Sequence, residues 1–482
     1  MINGAHQGRR VHSQRGVKVP DVDRYDILVL GSGESGKYLA WTMAGAGYRT
    51  AVIEQELIGG SCPNVACLPS KNIIHSAKVR SLAARGAAFG VDAGAIHTDM
   101  KTVQERKRRM VDDLIKVHVG RYEAAGVELI MGRAQFVGPK TVAVHRGNTL
   151  VRTVVGGRVF VNVGTRATIP DVPGLSDAAP MTHVHALELE RVPEHLVVLG
   201  GGYVGLELTQ ALRRFGSEVT VIERGPQLAG REDADVGAAL LELLRDEGIG
   251  VLLNTEVRQV DGRSGQGVRV RAVSANGDQM IDASDLLVAA GRTPNTQDIG
   301  AEVAGIELDA RGYISVNERL ETTAPGVWAM GDCAGSPQFT HVAFDDFRIV
   351  RDNLNGGSRT TRNRLVPFCM FTDPELARVG LNESEARARQ IAYRVARLPM
   401  AAVLRTRTTS EPRGFMKMLI DEGSDRILGF TVFGAEASEL MATVQTAMLG
   451  NLPYTVLRDA LFTHPTAAEG LTLLLANVTS DR

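Results

Sequence analysis

Cys62 and Cys67 stand five positions apart in Gly59-Gly-Ser-Cys-Pro-Asn-Val-Ala-Cys-Leu-Pro-Ser-Lys71, in a chain of 482 residues with four cysteines. In a regular helix, residues i and i+5 have Cα atoms about 8.7 Å apart. A disulfide needs less than about 7 Å. Joining this pair therefore requires non-helical backbone, and Pro63 and Pro69 bracket such a stretch. A short, accessible disulfide here belongs to the labile, catalytic group. A zinc centre and a pair of inert buried thiols are the other readings, although no second Cys/His pair lies at finger spacing. Cys333 and Cys369 are isolated and read as small buried hydrophobes. No metal ligands are assigned. The second chemical signal is His464 with Glu469, in Thr463-His-Pro-Thr-Ala-Ala-Glu. A nearby carboxylate raises an imidazole's basicity and fixes its tautomer, which suits acid–base work.

Two glycine-rich units must position these groups. The first runs from a strand, Tyr25 to Leu30, into Gly31-Ser-Gly33-Glu-Ser-Gly36, a helix to Gly45, and a strand ending at Glu54. The second repeats it: His195 to Leu199, then Gly200-Gly-Gly202-Tyr203-Val-Gly205, a helix through Phe215, and Glu218 to Ile222 ending at Glu223. Each acidic residue lies 23 positions after its first glycine. In such a unit the first glycine makes the turn, the second admits a pyrophosphate, and the third lets helix pack on strand. The helix N-terminus attracts the phosphates, and the acid accepts hydrogen bonds from ribose hydroxyls. A dinucleotide is expected at both, and two dinucleotides in one chain suggest electron transfer between them. Thr323 to Asp332 reads as a strand ending in Gly331-Asp332: either a strand capped by a turn Asp or, as in FAD enzymes with a split Rossmann domain, the Asp that holds a flavin's ribityl chain. Behind the first glycine unit and the cysteine pair the second reading is expected, which puts the flavin in the first unit.

Elsewhere, Asp99 to Glu123 reads as one long helix whose run Glu105-Arg-Lys-Arg-Arg109 is a solvated face. Strands are expected from Val127 to Val163, and a buried strand leads into Ala290-Gly291-Arg292. A Ser/Arg-rich linker, Ser358 to Arg364, precedes an α+β region with strands Phe415 to Asp421 and Ile427 to Phe433. Its helices are expected at Ala437 to Leu449 and Thr466 to Asn477. With 54 basic and 55 acidic residues there is no excess charge to hold nucleic acid. No stretch approaches 18 consecutive apolar residues, so no membrane partner is expected. Four cysteines argue against a disulfide-stapled secreted scaffold, and a reducing cytoplasm is the expected location.

These motifs, in this order, resemble the flavin-dependent pyridine nucleotide–disulfide oxidoreductases, the group of lipoamide dehydrogenase, glutathione reductase and mercuric reductase. The resemblance runs from about residue 25 to 478 and includes Ala290-Gly-Arg-Thr-Pro-Asn295 and His464 to Glu469. It implies an α/β fold: an FAD domain (25–175 and 295–355), an NAD(P)H domain inserted in it (176–294), and a C-terminal α+β dimerisation domain (365–482). Residues 1–24 read as a flexible arm. It further implies a Cys62–Cys67 redox disulfide, with Cys62 attacking substrate and Cys67 facing the flavin. Lys71 and Glu207 would pair beside the flavin, Tyr203 would be the gate that moves as nicotinamide enters, and His341 would open a helix under the flavin's pyrimidine end. Cofactor contacts fall to Gly31, Gly33, Gly36, Glu54, Gly331, Asp332 and His341 for FAD, and to Gly200, Gly202, Gly205, Glu223, Gly291 and Arg292 for NAD(P)H. In this family the acid–base His serves the other subunit's cysteines, so the resemblance implies a homodimer.

A small disulfide is the expected substrate, with a metal ion or small electrophile such as a quinone as the alternative. Three features separate the sequence from mercuric reductases: Leu475 to Arg482 holds no cysteine pair, no Cys-x-x-Cys domain precedes Tyr25, and His464 stands where those enzymes have tyrosine. The bridge also departs from the usual family spelling at Pro63 and Ala66. Glu223 would repel a 2′-phosphate and favours NADH, while the adjacent Arg224 leaves NADPH open.

Overall fold

The structure, a computed structural model, describes residues 22–476 and 478–480; the arm expected at 1–24 lies almost wholly outside them. The first unit builds a seven-stranded sheet, six strands in the order Glu128–Met131, Thr50–Glu54, Asp23–Leu30, Thr149–Val161, Thr141–Arg146, Arg133–Gly138 and a seventh, Val327–Ala329, beside Thr149–Val161. Its central strands are parallel. Leu30 stands beside both Ile53 and Val161, and Val161 beside Ala329 of the late strand Val327–Ala329. The chain thus leaves this sheet at Val161 and returns to it more than 160 residues later. In between lies a four-stranded parallel sheet, Gly250–Leu252, Glu218–Ile222, His195–Leu199, Asp285–Val288. A three-stranded antiparallel sheet, Glu256–Arg263, Gly267–Ser274, Gly277–Ala283, flanks it. Register is what makes the site. Aligned strand ends bring Gly31, Glu54 and Asn162 to one sheet edge, and Gly200, Glu223 and Ala289 to another. Ligands bind at such carboxyl edges in open parallel sheets.

The C-terminal region is a six-stranded antiparallel sheet carrying the helix Ala437–Leu449. Ile73 and Ala77 of the helix Cys67–Ala84, Leu206 and Leu208 of the helix Tyr203–Phe215, and Met370 and Phe433 of this last sheet share one buried cluster. Burying side chains of this size stabilises by about 1.5–3 kcal/mol each. The cysteine helix is therefore fixed against both the second nucleotide unit and the C-terminal sheet. Among the described residues no helix is long and apolar enough to cross a membrane.

Two expectations need correction. The basic run in the helix Met100–Ala125 is not simply a solvated face. Lys107 is 2% exposed and pairs with Glu188, Arg108 reaches Glu188 and Glu190, and Arg106 binds Asn72 and Ser76. The run docks this helix onto its neighbours. The helix expected at Thr466 to Asn477 is shorter, Gly470–Leu475. The Thr466 hydroxyl donates to the Thr463 carbonyl and accepts from the Glu469 N–H, so a side-chain turn takes the backbone group a helix would use.

Candidate functional site

The cysteines lie on two helices. Cys62 belongs to the single turn Ser61–Asn64, Cys67 begins the helix Cys67–Ala84, and Val65 and Ala66 break the run between them. The expected non-helical stretch is this break. Positive-φ glycines set the approach: a Cβ on Gly60 would lie 2.5 Å from the Gly33 Cα, and one on Gly59 would lie 2.5 Å from His118 Nδ1. Only glycines let this turn sit directly on the first dinucleotide turn. Asn64 braces it by donating to the Ile58 and Gly60 carbonyls.

Both cysteines are thiols in this structure, and their chemistry diverges. The neighbouring Cys67 sulfur, with burial, pushes the Cys62 thiol well above the usual thiol range. The same sulfur–sulfur contact pulls Cys67 down to about 6, against burial and with help from the Thr340 hydroxyl and Lys71. Thr340 Oγ1 lies 3.2 Å from Cys67 Sγ and opens the helix Thr340–Leu354. A thiol at such a helix start is eased toward thiolate by the dipole. Thr340 was not legible in the sequence, because a lone threonine before an amphipathic helix carries no signature.

Lys71 follows Cys67 by four residues and so shares its helix face; Tyr203 and Glu207 are related in the same way. Lys71 Nζ lies 2.7 Å from Glu207 Oε2, and Glu207 Oε1 accepts from the Phe371 N–H at 2.8 Å. This pair, 136 residues apart in sequence, borders Cys67. Tyr203 lies against Phe368, ring centroids 5.7 Å apart. His341, second in its helix, binds the Pro367 carbonyl at 2.7 Å and stacks on Phe339. His464 Nδ1 lies 3.0 Å from both Glu469 oxygens, with its side chain 61% exposed. No hydrogen bond links this pair to Cys62 or Cys67 within the described residues.

The cradles fit their dinucleotides. Neither Gly33 nor Gly202 gives its helix a side-chain cap, so first-turn N–H groups are left for an outside acceptor. A Cβ on Gly202 would meet nothing within 4 Å, open space where a diphosphate can lie. Gly31, with φ +94°, backs onto the Asn162 carbonyl, and Asn162 Oδ1 accepts from the Gly36 N–H. Asn162 also donates to the Met330 carbonyl, tying the first turn to Gly331. The Gly331 N–H in turn donates to the buried Asp346. The Asp332 carboxylate accepts from Thr165 and lies 3.9 Å from Arg292. Gly291, at φ +119°, precedes that arginine. Glu54 accepts four hydrogen bonds from its own chain: Ser32 N–H and hydroxyl, and the N–H groups of Glu56 and Leu57. Glu223 accepts from the Gly201 and Gly225 N–H groups. Among the described residues no three His, Cys, Asp or Glu side chains group as metal ligands.

Residues 25–346 match the family described as pyridine nucleotide-disulphide oxidoreductase, and residues 366–475 match its dimerisation domain. The chain is 36% identical over 465 residues to the probable pyridine nucleotide-disulfide oxidoreductase RclA of Escherichia coli K12, covering 95% of this chain and all of that one. It is 34% identical over 468 residues to the mercuric reductase of Acidithiobacillus ferrooxidans, covering 96% and 84%. A solved Cu(II) complex of the HOCl-induced flavoprotein disulfide reductase RclA from E. coli superposes with a TM-score of 0.85 at 34% identity, covering 94% and 99%. The cofactors of this fold are FAD and NAD(P)H, and the dimerisation domain supports a homodimer. The chain belongs to the pyridine nucleotide-disulfide oxidoreductase family and is an NAD(P)H-dependent oxidoreductase.

Proposed function

We propose that the protein passes electrons from NAD(P)H through the Cys62–Cys67 dithiol to a small disulfide. The observation that carries this reading is the placement of Cys67: it begins its helix with Thr340 Oγ1 3.2 Å from its sulfur and the Lys71–Glu207 pair beside it, while Cys62 sits on a separate short turn. This asymmetry draws Cys67 toward thiolate and keeps Cys62 protonated. The first is the state a flavin-facing sulfur needs. The second is a nucleophile that waits for a base. Bound FAD and NAD(P)H supply the hydride chemistry. Lys71 and Glu207 set the charge beside Cys67, and Tyr203 covers the nicotinamide position. His464, oriented by Glu469, takes the Cys62 proton across the interface of a homodimer. The Cys62 thiolate then attacks one substrate sulfur, forming a mixed disulfide, and His464 returns the proton to the departing thiolate. Attack by the Cys67 thiolate on the Cys62 sulfur restores the Cys62–Cys67 disulfide and expels the second substrate sulfur as a thiolate, which takes its proton from solvent.

Glu223 at the end of the second strand would repel a 2′-phosphate and so favours NADH, with the adjacent Arg224 leaving NADPH open. A dithiol that must stay reducible suits a reducing cytoplasm. A second reading, reduction of a metal ion or quinone by the same dithiol, is favoured by the mercuric reductase among its relatives and by the Cu(II) complex of RclA.

The test is steady-state turnover on a panel of disulfides, metal ions and quinones, with NADH and with NADPH. The disulfide reading requires that Cys62→Ser and His464→Gln lose disulfide turnover while NADH still reduces the flavin. Retained disulfide turnover in Cys62→Ser sinks it. Metal turnover that exceeds every disulfide, and is lost in Cys62→Ser, establishes the second reading instead.

A further inference from the structure

Tyr203 is held by more than packing. Its hydroxyl donates to Glu232 Oε1 at 2.8 Å. Glu232 is 4% exposed, and its other oxygen, Oε2, lies 2.9 Å from Arg378 Nε. That second contact is off the line of a hydrogen bond, so the aligned side-chain bond Glu232 makes is the one from Tyr203. The Arg378 guanidinium in turn lies 4.6 Å from the centre of the Phe368 ring, which lies against the Tyr203 ring. Tyr203, Glu232, Arg378 and Phe368 thus close a ring of contacts, gripping the tyrosine by its hydroxyl on one side and its face on the other. The grip spans two parts of the fold. Tyr203 and Glu232 belong to the second nucleotide unit, whereas Phe368 and Arg378 lie on strands Pro367–Met370 and Glu375–Gly380 of the C-terminal sheet.

Both anchors are braced from behind. Arg378 also pairs with Glu385 at 2.7 Å. The Glu232 loop is tied to the second dinucleotide turn, because the Glu232 N–H donates to the Ala229 carbonyl and the Ala229 N–H to the Gly201 carbonyl. On its other side, Asn382 donates to the Arg231 carbonyl. Burial raises the Glu232 carboxyl, while Arg378 and the Tyr203 hydroxyl hold it down. A carboxylate buried this far persists only with such partners.

We propose that the Glu232–Arg378 pair is the latch of the Tyr203 gate: a positioning pair that holds the tyrosine closed and sets how often the nicotinamide position opens. The proposal rests on the reading of Tyr203 as that gate. When Tyr203 swings out it loses its bond to Glu232, while Glu232 keeps Arg378 and stays paired. Opening is then a two-state equilibrium biased by one hydrogen bond to a charged acceptor. The apparent affinity of a ligand that needs the open state falls by the fraction of molecules that are open. Removing the bond should tighten such a ligand by about tenfold.

The experiment compares two ligands on the FAD-loaded enzyme by titration calorimetry. NAD+ needs the gate open; ADP-ribose, which lacks the nicotinamide, does not. In Tyr203→Phe NAD+ should bind about tenfold tighter, and in Glu232→Gln about threefold tighter, with ADP-ribose unchanged. The double variant should gain no more than Tyr203→Phe alone, because Glu232→Gln only weakens the bond that Tyr203→Phe removes. Tyr203→Phe leaves every charge in place, which keeps the test valid if Glu232→Gln folds poorly. The latch is overturned if NAD+ and ADP-ribose change together, if neither changes, or if the two single effects add. Tyr203→Ala separates the two readings. An unchanged NAD+ to ADP-ribose ratio there removes the gate itself, whereas a changed ratio with no effect of Glu232→Gln and Tyr203→Phe removes only the latch.

Discussion

Replacing Thr340 by valine removes one hydroxyl and keeps the β-branched shape at the first residue of its helix. That hydroxyl lies 3.2 Å from Cys67 Sγ. A hydrogen bond to a charged partner is worth about 1.5–3 kcal/mol, and one pKa unit corresponds to about 1.4 kcal/mol. Starting from about 6, the Cys67 thiol should therefore rise to between about 7 and 8 in Thr340→Val. The sign follows from the charge: below its midpoint Cys67 is a neutral thiol, above it a thiolate. Anaerobic reduction with one equivalent of NADH, followed from pH 5 to 9, reads the thiolate through its long-wavelength charge-transfer absorbance with the bound flavin. At pH 7 the parent should show most of its band and Thr340→Val about half or less. A midpoint that moves by less than about 0.3 units would show that the hydroxyl does not act on the sulfur.

The order of influences on Cys67 gives a second expectation. Cys62→Ala, which removes the largest stabilising contact, should raise the same midpoint further than Thr340→Val, and Lys71→Met should raise it less. The dinucleotide turns allow a paired test. A Cβ at Gly205 would lie 2.3 Å from the Gly200 carbonyl, so Gly205→Ala should lose about 1–3 kcal/mol of stability, read as a lower urea midpoint. Gly202→Ala meets no protein atom within 4 Å and should keep the parent's midpoint while raising KM for NADH. Lys417, 1% exposed, lies 2.7 Å from Asp233 and 2.9 Å from Asp235 and Glu383. Lys417→Met leaves three carboxylates crowded together and should destabilise by about 3–5 kcal/mol in urea unfolding.

What the sequence made legible was local. Each nucleotide unit is written in about 30 consecutive residues, because glycine spacing and strand polarity are short-range demands, and the strands His195–Leu199 and Glu218–Ile222 fall where those demands put them. Lys71 and Glu207 can be paired from the sequence only through the family resemblance, each sitting in its own recognisable motif. Asn162, which closes the first turn on three glycines, sits in a stretch with no motif, and its role depends on the register between Asp23–Leu30 and Thr149–Val161. Glu232 and Arg378 were hidden for the same reason, being 146 positions apart in ordinary surroundings. The basic run at 105–109 misled because charge in a helix reads as solvent exposure unless the partner is known, and Glu188 is 81 residues from Lys107.

The break at Val65 and Ala66 has a mechanical meaning. Cys67 is bolted to an 18-residue helix seated in the core, whereas Cys62 rides on a single turn of four residues. In the language of an electrical switch, Cys67 is the fixed terminal and Cys62 the moving contact. Opening and closing the circuit should therefore displace the short lever, Ser61–Asn64, more than the long helix that carries Cys67.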